Sequence, residues 1–119
     1  MRYIDGYVLA VPTANKEAYT RLANEASAIF KEHGALQIVE AWGDDVPEGE
    51  VTSFSMAVKR KDDESIVFSW TTWPSKEARD EGLQKTMEDP RLQDNDYQHI
   101  FDGRRMIYGG FTPIVICGE

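Results

Sequence analysis

The stretch Ile66-Val67-Phe68-Ser69-Trp70-Thr71-Thr72-Trp73-Pro74-Ser75 constrains the chain most. Eight β-branched, aromatic and small residues run to a proline, and a helical pattern over residues 76–87 follows at once. That is a strand feeding a helix. Ile66, Phe68 and Trp70 share one side and Val67 and Trp73 the other, so both faces carry bulk that must leave water. A central strand covered on both sides is expected, with Trp70 in its core. A chain of 119 residues has helices enough for one face, and the second face points to a partner subunit.

That length is right for one domain spanning 1–119 and too short for two cores. The net charge of -8 argues against a grip on nucleic acid or an anionic membrane. The chain opens directly into a strand pattern, and no apolar run approaches the roughly 20 residues of a spanning helix. A cytoplasmic location is expected. The single cysteine, Cys117, cannot form an internal disulfide.

In chain order, residues 3–12 are rich in strand formers and end at Pro12. Asn15 is expected to cap a long helix, in which Ala18, Leu22, Ala26, Ile29 and Phe30 recur at helical spacing until Gly34 supplies a left-handed exit. Residues 36–42 form a second strand with Leu36, Ile38, Glu40 and Trp42 on one side. A polar loop follows, and residues 52–59 read as a short helix capped by Thr52, or else as a strand. After the central strand, Ser75 caps a second helix whose apolar positions Ala78, Leu83 and Met87 are sparse. Asp89-Pro90 ends it. Residues 91–101 are polar and irregular, with room for one helical turn. Residues 106–111 form the last strand, with an extension through Ile114-Val115-Ile116 open to it. Strand, helix, strand, insertion, strand, helix, strand is the split βαβ order: an antiparallel sheet with both helices on one face. The other face is then an apolar association surface, and two-fold pairing is the commonest way to bury one.

Several blocks carry a resemblance. Tyr3-Ile4-Asp5-Gly6-Tyr7-Val8, Val67-Phe68-Ser69-Trp70 before Pro74-Ser75, Asp89-Pro90-Arg91, and the run from Phe101 through Gly109-Gly110-Phe111 resemble the YbaA-like bacterial family of unknown function. The likeness covers nearly the whole chain. It implies a ferredoxin-like α+β fold of the dimeric αβ-barrel superfamily, in which two subunits press their sheets together. The family brings no reaction with it, while the superfamily includes cofactor-free monooxygenases, isomerase-like proteins and binding modules.

Among chemical motifs, Gly109-Gly110 lacks the lysine and helix of a phosphate cradle and reads as room for close backbone approach. His33 and His99 lack the spacing of a metal-ligand pair, so no metal and no cofactor are expected. His33 reads as a helix-end residue. His99 is either a surface imidazole or a neutral-range titrating group at the cleft. Asp5, Tyr7, Glu40, Trp42, Trp70, Arg105 and Tyr108 lie on or beside segments of one sheet, and with His99 they are the candidate ligand-binding residues. Asp5 and Tyr7 share a face, as do Glu40 and Trp42. A carboxylate there needs a partner, and Arg104 or Arg105 is expected to pair with Asp5, as a structural clamp or as part of a pocket. The functional expectation is a small acidic cytoplasmic homodimer, without nucleic-acid or membrane partners, that binds a small molecule between sheet and helices. The alternative is a cofactor-independent oxygenase or isomerase using Asp5, Glu40 or His99 as proton acceptor.

Overall fold

A computed structural model describes residues 1–93 and 97–118. Ten-residue β1 (Tyr3–Pro12) pairs along its whole length with β3 (Glu64–Trp73), antiparallel, with Leu9 opposite Val67 and Asp5 opposite Thr71. β2 (Gln37–Trp42) and β4 (Ile107–Phe111) complete an antiparallel sheet in the order β2-β3-β1-β4. The fold is therefore the expected ferredoxin-like α+β arrangement.

Helix α1 (Lys16–Glu32) packs on one face of the sheet. Its Tyr19 and Ala23 close over Leu9, Val11 and Val67, with Phe101 and Met106 completing the cluster. Asn15 does not cap α1 through its side chain. Its amide nitrogen instead donates to the Ile100 carbonyl at 2.9 Å, fastening the start of the helix to the segment that leads into β4. The exit is as expected, with Gly34 at φ 111°.

Ser75 caps α3 (Lys76–Glu88) by accepting from the Ala78 amide at 3.0 Å. Gly82 and Thr86, rather than a stripe of large residues, form the buried side of α3. A Cβ at Gly82 would fall onto the Trp73 ring and the His33 carbonyl, so glycine lets helix and strand approach closely. Trp73 is fully buried there, with the Phe30 ring 6.2 Å away between centroids. At the far end, His33 lies 3.0 Å from Asp89, which Arg91 also clasps, so the expected helix-end residue ties α1 to α3. One short turn, α4 (Pro90–Gln93), and a 3-10 turn (Tyr97–His99) flank residues 94–96 of the irregular segment, which lie outside the described residues.

The second sheet face corrects three expectations. Residues 52–59 do form a short helix, α2 (Phe54–Ala57), but Ser53 caps it rather than Thr52. The α2 region covers one end of this face, where Val58 and Val46 pack on Val8, Ala10 and Ile66. Trp70 is only half-buried on the uncovered remainder, because its alternation places it away from the helices, and Trp73 is the core tryptophan. Beside it Phe68, Ile107 and Phe111 are exposed. Residues 114–116 do not extend β4, since Pro113 has no amide to continue the ladder.

Candidate functional site

Strand register lines up a polar row beneath the helices. Glu40 of β2 stands opposite Ser69 of β3, Ser69 opposite Tyr7 of β1, and Tyr7 opposite Tyr108 of β4. Neighbouring strands present opposed residues to the same face, so the four side chains cross the sheet in one line. They share the side of Leu9 and Val67, against which α1 packs. From α1, Tyr19 donates a hydrogen bond to Glu40 Oε1 at 2.6 Å, and Ser69 lies beside the same residue across the β2–β3 pair.

Glu40 opens into a groove of about 240 Å³ between α1 and β2, floored by Ile38 and Val67. Trp42 forms one end, with Lys16 Nζ 5.6 Å from its ring centroid. Although Glu40 keeps an exposed edge toward the groove mouth, its carboxyl is crowded on the inner side. That desolvation raises its pKa above the ordinary value, against the opposing pull of Tyr19 and Ser69. Burial also raises the pKa of Tyr19, with the Glu40 charge adding to it. Tyr7 is pushed up to about 12, first by burial and then by the charge of Asp5. Both phenols are therefore hydrogen-bond donors at neutral pH. A protonatable carboxyl held by a tyrosine, facing a groove with an aromatic end, can accept a hydrogen bond or a proton from a small molecule.

The other candidates scatter. Asp5 is on the row's face but belongs to a separate clamp: it is 3% exposed and is held by Arg79 through Nε at 3.1 Å and Nη2 at 2.9 Å, and by Trp73 Nε1 at 3.0 Å. The expected pairing with Arg104 or Arg105 is wrong for a reason of register. Asp5 faces Gly110, while Ile107 faces Val8, so the chain before β4 has already travelled toward the Pro12 end. Glu64 is the carboxylate opposite Pro12, and Arg105 binds it through Nη1 at 2.8 Å and Nη2 at 2.5 Å. Arg104 pairs weakly with Asp102 at 3.5 Å. Trp70 is on the opposite face, and His99 stands in the exposed turn and does not line the groove. Tyr108 is at the exposed strand edge, its ring 6.4 Å from that of Tyr7. Thus Tyr7, Glu40, Trp42 and Tyr108 come together along the row and its flank, whereas Trp70, His99 and Arg105 do not.

Sequence reasoning missed Tyr19, Lys16, Ser69 and Arg79. One signal for Arg79 was present: a Cβ at Gly110, across from Asp5, would collide with the Tyr3 hydroxyl and Arg79 Nη2. Gly110 is room for close approach, as expected, and what approaches is the clamp, while a Cβ at Gly109 would meet only the Phe111 ring at 3.5 Å. Among the described residues no three His, Cys, Asp or Glu side chains are grouped to hold a metal, and no helix is long and apolar enough to cross a membrane.

Comparison with known proteins places the chain. Residues 2–103 match the family described as Protein of unknown function (DUF1428). The chain belongs to this family. Within the YbaA group, it is 54% identical over 115 residues to the uncharacterized protein YbaA of Escherichia coli K12, covering 97% of this chain and 98% of that one. Two solved structures share the fold at low identity. SnoaB, a cofactor-independent oxygenase from Streptomyces nogalater, aligns with a TM-score of 0.63 at 13% identity, covering 99% of this chain and 98% of the other. A dimeric ferredoxin-like protein from an uncultured marine organism aligns at 0.58 and 8%, with 99% and 98% covered.

Proposed function

We propose that this DUF1428 member is a single-domain cytoplasmic homodimer that binds a small molecule in the groove between α1 and β2, with Glu40 as the recognising group. The observation that carries this reading is the Glu40 carboxyl, fixed by Tyr19 at 2.6 Å yet open to the groove. Trp42 supplies an aromatic end wall, and Lys16 above it favours a ligand with an acidic substituent on a planar body. Pairing through the open sheet face is supported by the apolar surface of Phe68, Ile107 and Phe111 and by the dimeric state stated for the marine ferredoxin-like protein. The lone exposed Cys117 accords with a reducing compartment. The test is a thermal-shift screen of planar hydroxyaromatic and dicarbonyl acids on the parent and on Glu40→Gln. Binders of the parent that leave Glu40→Gln unshifted support the reading, and equal shifts in both overturn it.

A second reading, enzymatic, is favoured by the raised pKa of Glu40, which makes its carboxylate a better base than an ordinary one. In a cofactor-independent isomerase or oxygenase, Glu40 would accept a proton from an acidic C–H beside a carbonyl. The fold shared with SnoaB accords with such chemistry at the level of architecture. Exchange of that C–H for deuterium, catalysed by the parent and lost in Glu40→Gln, separates catalysis from binding alone.

A further inference from the structure

Residues 112–118 leave the sheet at Phe111 and touch almost nothing of their own chain. Ile114, Val115 and Ile116 are 94%, 80% and 66% exposed, three consecutive β-branched apolar side chains in water. An isolated exposed isoleucine is ordinary, but a contiguous run beside an uncovered apolar sheet face marks an association surface. Thr112 and Pro113, the root of this segment, line the same shallow recess as Phe68, Trp70, Ile107 and Phe111. The segment therefore starts at the rim of the surface that a second subunit is proposed to cover.

The segment is not seated on its own chain: Pro113 has no amide to continue the β4 ladder, and residues 114–116 stand in water rather than on their own sheet face.

We infer that residues 112–118 form an exchanged arm: each copy lays Ile114, Val115 and Ile116 onto the open sheet face of a second copy, beside Phe68 and Trp70. The occupant is a second copy of this chain because face and arm are complementary in kind, apolar on apolar, and two-fold symmetry lets each arm meet the other's face. The arm carries no charged residue from Thr112 to Gly118, which suits it to that surface. This inference rests on the homodimer reading and adds to it the element that locks the pair.

Cys117 is the one cysteine and sits on the arm, so it provides the probe. A nitroxide is attached to Cys117 of unlabelled protein, which is mixed and allowed to exchange with nitrogen-15-labelled Cys117→Ser protein, and amide intensities are read on the labelled copy. Light scattering on the same sample gives its mass. A dimer mass with most of the intensity lost at Phe68 and Trp70 of the labelled copy supports the arm. A dimer mass with those amides untouched, and broadening only when nitroxide and nitrogen-15 are on one chain, overturns the arm and leaves the homodimer standing. A monomer mass overturns both.

Discussion

At the residue scale, two carboxylates on the helix-covered face of the sheet, Asp5 buried and Glu40 open to the groove, have opposite work. Asp5 is spent on structure, with Arg79 and Trp73 occupying both its oxygens. Arg79→Gln leaves the Asp5 carboxylate buried without its countercharge and should destabilise by on the order of 3 kcal/mol, whereas Asp5→Asn should cost less, since Arg79 keeps Asp80 and contact with water. A double-mutant cycle by denaturant unfolding should show coupling, whereas Asp5→Asn with Arg105→Gln should be additive. Glu40 behaves differently. Its pKa is raised in the folded state, so its contribution favours folding below the unfolded value near 4.5 and is lost as pH rises through the folded value. Glu40→Gln should therefore flatten the decline of stability above about pH 4.5. Glu64 has the reverse sign: Arg105 holds its pKa down, and its stabilisation is present above about pH 4.5 and lost as pH falls. The pH dependence of unfolding should therefore lose slope relative to the parent on opposite sides of about pH 4.5, above it for Glu40→Gln and below it for Glu64→Gln.

At the element scale, the central strand β3 and helix α3 meet at Trp73 and Gly82. Trp73→Ala should cost about 3–5 kcal/mol through the cavity it leaves. Trp70→Ala should lower monomer stability much less, because that ring is half-buried on the open face. Equal losses in urea unfolding would contradict the assignment of the two tryptophans. The elements themselves were legible: runs of strand formers at β1 and β3, alternation at β2, the Ser75 cap, the Asp89-Pro90 stop and Gly34 follow from local physics. What was not legible came from register. Alternation puts Asp5 and Tyr7 on one face, but only the pairing of β4 decides that Asp5 meets Gly110 and Arg105 meets Glu64. Likewise Tyr19 reads in sequence as one more residue of an amphipathic helix, and its bond to Glu40 depends on how α1 crosses β2. Trp70 and Trp73 differ by an odd number of residues, so strand parity separates their faces, but parity alone does not say which face the helices cover.

At the scale of the whole molecule, α1 and α3 on one sheet face and the apolar surface that α2 leaves uncovered on the other divide the labour between a site and an association surface. Trp70→Glu should place a charge in the paired face and give a monomer mass by light scattering while circular dichroism stays native. An unchanged dimer would move the association surface elsewhere. The groove is separate from that surface, resting on α1 and β2 around Glu40. Its most direct test is a nuclear magnetic resonance titration of the Glu40 side-chain carboxyl, carbon-13 labelled, with and without a binder from the thermal-shift screen. A titration midpoint above that of the exposed glutamates is expected, with a further change when the binder is added. An ordinary midpoint that the binder does not move would contradict Glu40 as the recognising group.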